Sequence, residues 1–268
     1  MTTVIIAVIV AFILAFVIGV LLGFFKKVFA VPVDEKAQMV RDVLPGVNCG
    51  ACGYAGCDGF AAACAAGQAP ADGCAAGGAK TAQAVAKVLG VKVDAENHVA
   101  VLACRSCKGS CVPRGLYNGI KSCASAHAEV NGTKMCQWGC VGFGDCVAAC
   151  RFDALSMGED GLPHVDTKKC TGCGICVKTC PMHLYFKVPV SRKGAVALCA
   201  NRNENKAMVL KTCKVGCIKC GKCERGCEKD AIKLTDGIPV VDYVLCNSCG
   251  TCVEGCPTHV LALVENII

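Results

Sequence analysis

Aromatic side chains are scarce in this 268-residue sequence, which has nine Phe, four Tyr and one Trp. No basic stripe interleaved with aromatic residues occurs, so the net charge of +7 does not indicate nucleic-acid binding. The sequence also lacks G-x-G-x-x-G after a predicted strand and lacks G-x-x-x-x-G-K-[ST], so no nucleotide site is visible. No Cys/His or Ser/His/Asp arrangement stands out. We predict surface positions, not ligand roles, for the histidines: His98, His127, His164, His183 and His259.

Charge is absent from residues 4–25, which contain no hydrogen-bonding side chain either. A helix of that length spans about 33 Å, enough to cross the hydrocarbon core of a bilayer. No Lys or Arg precedes this run, whereas Lys26 and Lys27 follow it directly. The sequence therefore predicts one transmembrane helix in the inner membrane, lipid contact through residues 4–25, and a C-terminal portion on the cytoplasmic side. A buried core helix and an uncleaved secretion signal are the alternatives.

Cysteine, in contrast, is abundant, with 27 residues. Thiols on the cytoplasmic side stay reduced, so we expect metal ligands in place of disulfides. The spacing C-x2-C-x2-C-x3-C occurs at 170–180, 217–227 and 246–256, and an altered version occupies 136–150. This spacing is typical of two-cluster bacterial ferredoxins, which bind [4Fe–4S] clusters. Zinc is the alternative, but it typically uses two separated C-x2-C pairs or Cys with His.

The chain also repeats itself, because residues 146–181 align with residues 223–257. Each copy has a short apolar run, an Asp-Gly turn and a second short run, which predicts a hairpin between two cysteine loops. Residues 79–89 are predicted to form an amphipathic helix and residues 98–104 a strand. The expected fold is therefore α+β. Its predicted divisions are an anchor (1–27), a [4Fe–4S] domain (32–92), a connecting segment (93–135), a first two-cluster module (136–186), a linker (187–212) and a second module (213–268).

Crossed ligation, in which the fourth cysteine of a run binds the partner cluster, predicts the ligands of both modules. The predicted sets are Cys217, Cys220, Cys223 with Cys256; Cys246, Cys249, Cys252 with Cys227; Cys170, Cys173, Cys176 with Cys150; and Cys136, Cys140, Cys146 with Cys180. The last set is the one with altered spacing. A fifth set, Cys49, Cys52, Cys57 and Cys74, lies within one small glycine-rich unit, where Cys64 is expected to be a buried packing residue.

Besides Cys64, six cysteines fall outside these five sets, and Cys104 is one of them. They suffice for one more cluster, which would use Cys107 or Cys111 together with Cys123, Cys199 and Cys213, and the alternative is that several of them are packing residues. The sequence thus predicts at least five [4Fe–4S] clusters and leaves a sixth open. Twenty thiolates on five 2+ cores would bring the net charge to about −3.

The order of these parts resembles the B subunit of the Rnf complex, in its long form with two ferredoxin-type modules, over nearly the whole chain. The resemblance is carried by the apolar N-terminus, by NCGACGYAGC with the distant Cys74, by CQWGCVGFGDCVAAC, and by the modules. It implies a membrane translocase that oxidises reduced ferredoxin, reduces NAD+ and transports Na+ or H+. This subunit would accept the ferredoxin electrons, and flavin-bearing membrane subunits would be its partners.

The NAD+ site and the ion path are expected in other subunits, because this chain shows no dinucleotide motif and its apolar run has no ionisable residue. Several basic residues lie near the first module: Lys168, Lys169, Lys178, Lys187, Arg192 and Lys193. They could serve to dock an acidic ferredoxin, and the alternative is that they only interact with solvent. Two other functions stay open. One is a membrane-anchored polyferredoxin for a hydrogenase or corrinoid-linked system, and the other is a structural zinc protein.

Overall fold

The computed structural model describes residues 2–28, 34–93 and 95–267. Its helices are α1 (Thr2–Val28), α2 (Glu35–Val43), α3 (Gly56–Ala65), α4 (Gly78–Leu89), α5 (Cys123–Val130), α6 (Asp145–Ala148), α7 (Ile175–Thr179), α8 (Lys206–Thr212), α9 (Lys222–Arg225) and α10 (Thr251–Glu254). Its strands are β1 (His98–Leu102), β2 (Leu155–Met157), β3 (Pro163–Val165), β4 (Tyr185–Pro189), β5 (Ala195–Ala197), β6 (Ile232–Thr235), β7 (Ile238–Val241) and β8 (Leu261–Leu263). The mixture of short helices and strands agrees with the predicted α+β class.

The apolar N-terminal run lies within helix α1, where large side chains such as Ile5, Phe12 and Leu22 are exposed. Among the residues that the structure describes, no helix has both the length and the apolarity required to cross a membrane. The predicted span at residues 4–25 is therefore not confirmed. The side chains of Lys26 and Lys27 lie outside what is described.

Helices α2, α3 and α4 form a small alanine-rich unit that carries the first cysteines. Asp34 begins α2, since its carboxylate accepts a hydrogen bond of 2.9 Å from the Lys36 nitrogen and so satisfies a free N–H of the first turn. Val40, Phe60 and Val85, one from each helix, are fully buried at the centre. Alanines occupy much of the remaining core, so the helices approach closely around few large side chains. Helix α4 confirms the amphipathic helix predicted at 79–89.

Each ferredoxin-type module contains the predicted hairpin. Strands β2 and β3 pair antiparallel in the first module, and β6 pairs with β7 in the second. The turn between β6 and β7 consists of Asp236 and Gly237, both with positive φ (48° and 75°). Two successive residues of that kind give the type I′ turn, which matches the twist of the flanking strands.

A second strand pair closes each module, and it joins residues far apart in sequence. Strand β1 pairs with β4 across the first module, and β5 pairs with β8 across the second. Both predicted connecting regions, 93–135 and 187–212, therefore contribute strands to the modules. The paired strands lie at 98–102 and 185–189 around the first predicted module (136–186), and at 195–197 and 261–263 around the second (213–268), so one or more strands of each pair lie outside the predicted module bounds. The aligned repeat segments, 146–181 and 223–257, do not include these outer strands, so the repeat gave no indication of their pairing.

Valine side chains pack the two closing sheets against each other. Val101 on β1, Val188 on β4, Val196 on β5 and Val264 just after β8 form one buried group, each no more than 3% exposed. This apolar contact fixes how the two modules sit relative to one another. Cysteines contribute to the other buried groups of both modules, so little of the module core is independent of the thiols.

Candidate metal centres

The second module brings its cysteines together in two cavities. One cavity is lined by Cys217, Cys220, Cys223 and Cys256. The other is lined by Cys227, Cys246, Cys249 and Cys252. These are the two sets that crossed ligation predicts. Each combines three closely spaced cysteines with one from the partner loop.

In the first module, the sulfurs of Cys150, Cys170, Cys173 and Cys176 lie close enough to affect one another's pKa values. Burial raises the pKa of Cys173, and the nearby Cys170 and Cys150 sulfurs raise it further. Burial also raises the pKa of Cys176 to about 12, with added contributions from Cys170 and Cys173. Four thiols this close cannot all ionise without a bound cation, which is the condition that metal ligation requires.

The other cavity of the first module departs from the predicted set. It is lined by Cys123, Cys140, Cys146 and Cys180, and Cys136 is not among its lining residues. Cys123 comes from helix α5, outside the motif. The pKa of Cys146 also shows that Cys123 is close to it. Burial raises this pKa most, and the nearby Cys123 and Cys180 sulfurs raise it further. The structure therefore gathers three of the four predicted residues and substitutes Cys123 for Cys136.

A carboxylate explains how Cys123 reaches this cavity. Asp145 Oδ1 accepts a hydrogen bond from the Cys123 nitrogen (2.9 Å), and Oδ2 accepts from Ser122 Oγ (2.9 Å) and the Ala124 nitrogen (3.1 Å). Burial alone would raise the pKa of Asp145, but these hydrogen bonds outweigh it and hold the pKa below its usual value. The first turn of α5 is thus fastened to the loop that carries Cys146.

The sequence contained a signal for this exchange. Cys140-x5-Cys146 has the same outer spacing as Cys217-x5-Cys223, with Phe143 where the second module has Cys220. The following glycines, Gly144 and Gly221, both adopt positive φ (81° and 68°) and both immediately precede a short helix. The first module therefore lacks a middle cysteine, and Phe143 packs instead in a buried group with Cys123.

The alanine-rich unit collects the remaining predicted set. Burial raises the pKa of Cys74, and Cys57, Cys52 and Cys49 all lie close enough to raise it further. Asn48 Oδ1 accepts a 2.8 Å hydrogen bond from the Cys57 nitrogen and so holds the loop at the start of α3. Cys64 is 2% exposed within the apolar core of the unit, as expected of a packing residue.

The cysteines left over do not gather as the sequence suggested. Cys199 and Cys213 line a further cavity together with Cys104 and Cys136, whereas Cys123 belongs to the first module. Cys111 faces Cys213 across an isolated antiparallel bridge, and a hydrogen bond from Cys213 lowers the pKa of the Cys111 thiol. Cys107 packs beside Cys104 and Cys140 without lining either cavity.

The free cysteine thiols of these sites fit the ligand requirements of iron–sulfur clusters. All 27 cysteines lie within the described residues, and all are free thiols. Three buried hydroxyl groups, those of Ser106, Thr171 and Ser248, have no partner at hydrogen-bond geometry in the described part of the chain, although Ser106 lies near the Cys111 thiol and Thr171 near the Cys173 thiol. Ser248 and Ser106 line cysteine cavities, and Thr171 lies between Cys170 and Cys173. Sulfide and thiolate sulfur would give each hydroxyl an acceptor, which is the usual surrounding of such clusters.

Several sulfurs already accept hydrogen bonds from the protein. The backbone nitrogens of Ala100 and Ala231 donate to Cys170 Sγ (3.4 Å) and Cys227 Sγ (3.3 Å). Tyr185, which is 4% exposed, directs its hydroxyl to Cys146 Sγ at 3.4 Å. Such donors stabilise thiolate charge and tune the reduction potential of a bound cluster.

Paired hairpin modules with convergent thiols define an iron–sulfur protein of the ferredoxin type. Comparison with known proteins agrees. Residues 44–76 match the family described as "Putative Fe-S cluster", residues 162–185 match "4Fe-4S binding domain", and residues 216–262 match "4Fe-4S dicluster domain". The first module is matched only in its second half, which leaves out the loop containing Phe143.

Curated relatives extend this likeness to most of the chain. The B subunit of a proton-translocating ferredoxin:NAD(+) oxidoreductase complex from Clostridium ljungdahlii is 40% identical over 92% of this chain and 87% of its own length. The B subunit of an ion-translocating oxidoreductase complex from Methanosarcina acetivorans is 37% identical over 82% of this chain and 83% of its own. The B subunit of the Na(+)-translocating complex from Acetobacterium woodii is 39% identical over 82% of this chain, which spans 66% of that relative. The chain belongs to the family of B subunits of ion-translocating (Rnf-type) oxidoreductase complexes, which confirms the resemblance predicted from the sequence.

Proposed function

We propose that this chain is the iron–sulfur electron-transfer subunit of an Rnf-type complex and accepts electrons from reduced ferredoxin. The observation that carries this proposal is the convergence of four thiols at each of several sites, without a nucleotide motif in the sequence. Bound [4Fe–4S] clusters supply one-electron transfer, and the protein sets their spacing, burial and potential. The complex to which the chain would belong couples ferredoxin oxidation and NAD+ reduction to Na+ or H+ transport.

Five ligand sets support at least five clusters. They are Cys49, Cys52, Cys57 and Cys74; Cys150, Cys170, Cys173 and Cys176; Cys123, Cys140, Cys146 and Cys180; Cys217, Cys220, Cys223 and Cys256; and Cys227, Cys246, Cys249 and Cys252. Relative to the sequence-based sets, only Cys123 and Cys136 change places. The modules that hold these sets would comprise residues 98–189 and 195–263.

The alanine-rich unit lies next to the first module. Cys173 packs against the apolar core of that unit, and Lys178 Nζ donates to the Ala51 carbonyl at 3.2 Å. Lys178 is among the basic residues for which ferredoxin docking is one predicted role, but its ammonium group is engaged within the chain. This contact supports placing the Cys49–Cys74 set at one end of the series of clusters, beside the first module.

Ferredoxin docking is supported best at the opposite end, on the second module. Cys249 is the exposed cysteine among the described residues, and its set lines a cavity near the surface. Arg192 stacks over the Tyr243 ring at 4.1 Å from its centroid, and Tyr243 lies near Cys246. Lys193, next in sequence, lies on the same loop between β4 and β5. An acidic carrier would meet positive charge there beside an accessible cluster.

We propose further that residues 4–25 anchor the chain in the inner membrane with the thiol-rich portion on the cytoplasmic side. The exposed apolar side chains of α1 and the position of Lys26 and Lys27 after the run support this orientation. Protease treatment of right-side-out vesicles tests it. Protection of the cysteine-rich region is expected, and digestion from outside would contradict the cytoplasmic orientation.

The functional test uses the full chain, reconstituted anaerobically in detergent. Reduced ferredoxin should bleach the cluster absorption without forming NADH, because NAD+ takes a hydride and this chain lacks a dinucleotide motif. NADH formation by the chain alone would require a nucleotide site, and failure to bleach would move ferredoxin oxidation to another subunit. A colourless protein containing zinc would support the structural alternative. Co-purification with hydrogenase subunits in place of flavin-bearing membrane subunits would support the polyferredoxin alternative.

A further inference from the structure

Two cysteine-bearing segments meet between the modules. One follows β1 and the other follows β5. The Val112 nitrogen donates to the Thr212 carbonyl (2.9 Å), and the Lys214 nitrogen donates to the Ser110 carbonyl (2.8 Å). Cys111 and Cys213 form an isolated antiparallel bridge between these hydrogen bonds. Nearby, a cavity is lined by four cysteines that belong to none of the five proposed sets: Cys104, Cys136, Cys199 and Cys213.

These four thiols come as equivalent pairs from the two modules. Cys104 lies two residues after β1, as Cys199 lies two residues after β5. Cys136 precedes Cys140 by four residues, as Cys213 precedes Cys217. The pairs therefore occupy corresponding positions of the repeat, and the interface between the modules brings them face to face.

The same hydrogen bond recurs in both halves of this cavity. The Cys140 nitrogen donates to Cys104 Sγ at 3.4 Å, and the Cys217 nitrogen donates to Cys199 Sγ at 3.3 Å. A thiolate accepts such hydrogen bonds better than a neutral thiol does, so the backbone is arranged for anionic sulfur. Each donor residue is itself a proposed ligand of the adjoining set in its own module.

Two buried polar side chains support the same interpretation. Ser106 and Asn201 are the polar residues classed as buried in the described part of the chain, and both line this cavity. Asn201 Nδ2 donates to Cys136 Sγ at 3.5 Å. The Ser106 hydroxyl lies near the Cys111 thiol but has no partner at hydrogen-bond geometry in the described part of the chain, and burying an unpaired hydroxyl costs free energy. Cluster sulfur would satisfy it.

Two lysine ammonium groups contact the backbone of these polar residues. Lys134 Nζ donates to the Ser106 carbonyl at 2.5 Å, and Lys219 Nζ donates to the Asn201 carbonyl at 2.6 Å. Four thiolates around a [4Fe–4S]2+ core leave a net charge of about −2, which two ammonium groups offset. A site of four neutral packing cysteines would need neither lysine.

We propose that Cys104, Cys136, Cys199 and Cys213 bind a sixth [4Fe–4S] cluster at the interface of the two modules. This proposal rests on the proposed function, since it assumes that the other sets bind clusters of the same kind. Two ligands come from each module, so cluster binding would also join the modules. The backbone nitrogens of Cys140 and Cys217, which are proposed ligands of one cluster in each module, donate hydrogen bonds to this site. The sixth cluster would therefore lie between those two clusters.

Iron and sulfide counts on the full chain, purified and reconstituted anaerobically, test the proposal. Six clusters correspond to about 24 iron atoms per chain and five to about 20. A brown protein with about 20 iron atoms would overturn the sixth site and leave the proposed function standing. A chain that binds no cluster would overturn both. This wild-type count decides the question even if a variant fails to fold.

Paired substitutions then identify the ligands. Cys136→Ser should remove about four iron atoms, and adding Cys199→Ser should remove no more, because both belong to one cluster. Cys136→Ser with Cys123→Ser should instead remove about eight. A loss of eight from Cys136→Ser with Cys199→Ser would overturn the ligand set. Cys64→Ala is the control for removing a thiol, since Cys64 packs in the core of the alanine-rich unit, near Cys52 and Cys74 but outside the proposed sets, and it should retain the full count. Electron paramagnetic resonance of the reduced variants should show the remaining clusters unchanged.

Discussion

Asp145 Oδ1 accepts a 2.9 Å hydrogen bond from the Cys123 nitrogen, and Asp145 directly precedes Cys146 in the sequence. One carboxylate therefore fixes two cysteines that are 23 residues apart at the same cavity. Because the carboxylate is charged and accepts three hydrogen bonds, we expect the position of Cys123 to depend on it more than on the packing of α5.

Asp145→Ala should make one cluster labile. Hydrogen bonds to a charged group contribute about 1.5–3 kcal/mol each, so the loss of three should speed iron release from this site at least about tenfold. The measurement is the time course of iron release to a chelator under anaerobic conditions. Glu129→Gln removes a carboxylate from the same helix, where it binds Tyr117, and should behave as the wild type. Equal release from Asp145→Ala and the wild type would show that Cys123 is held by other contacts.

Phe143→Cys should rescue Cys123→Ala. Phe143 occupies the position of Cys220 in the second module, after which Gly144 and Gly221 adopt the same backbone conformation. Cys123→Ala alone should lose about four iron atoms, and the double variant should regain them. Phe143→Ser in the Cys123→Ala background is the control, because it opens the same space without a thiol. Rescue by serine, or no rescue by cysteine, would contradict the equivalence of the two loops.

Cys227→Ser should abolish one cluster of the second module and spare the other. Cys227 lines the cavity of Cys246, Cys249 and Cys252, although it is closer in sequence to Cys223. The expected loss is about four iron atoms and one paramagnetic signal. Cys256→Ser is the reciprocal variant, and it should affect the cavity of Cys217, Cys220 and Cys223. Loss of the same cluster in both variants would contradict crossed ligation.

Tyr185→Phe should lower the potential of the cluster next to Cys146. The hydroxyl donates to Cys146 Sγ, and this hydrogen bond strengthens as the cluster gains negative charge on reduction. A difference of about 0.5–1.5 kcal/mol between redox states corresponds to roughly 20–60 mV for one electron. Redox titration monitored by electron paramagnetic resonance measures the shift. Tyr54→Phe is the control, because its hydroxyl binds the Gln68 carbonyl, and an equal shift in both variants would exclude a specific effect.

Lys193→Glu should slow reduction of the chain by an acidic ferredoxin. The residue follows Arg192 beside the Tyr243–Cys246 region, where an approaching anion would be attracted. We expect a several-fold slower second-order rate at low salt, and the difference should shrink as salt screens exposed charges over about 8 Å or less. Stopped-flow bleaching measures the rate. Lys87→Glu, on α4 of the alanine-rich unit, is the control. If Lys193→Glu and Lys87→Glu slow the reaction equally, the change in net charge, and not the loss of a docking site, would be the cause.

Most of the local chemistry could be predicted from the order of the residues alone. The Cys-x2-Cys-x2-Cys-x3-Cys spacings, the hairpin repeat and the order of parts were sufficient for the α+β class, the iron–sulfur character and the family. Local spacing carries this information because three thiols within seven residues can approach one cofactor without help from the rest of the fold. The same spacing, with crossed pairing, predicted the thiols that gather around Cys170, Cys217 and Cys246.

The grouping of cysteines outside such runs depends on contacts between distant parts of the chain. Cys123, and not Cys136, lines the cavity of Cys140, Cys146 and Cys180 because Asp145 binds the first turn of α5, an interaction that no spacing encodes. Cys104, Cys136, Cys199 and Cys213 meet where valines of β1, β4 and β5 pack the two modules against each other and backbone hydrogen bonds join the segments around Cys111 and Cys213. Long-range pairing of this kind depends on which apolar faces are buried together, and that is settled when the whole chain folds.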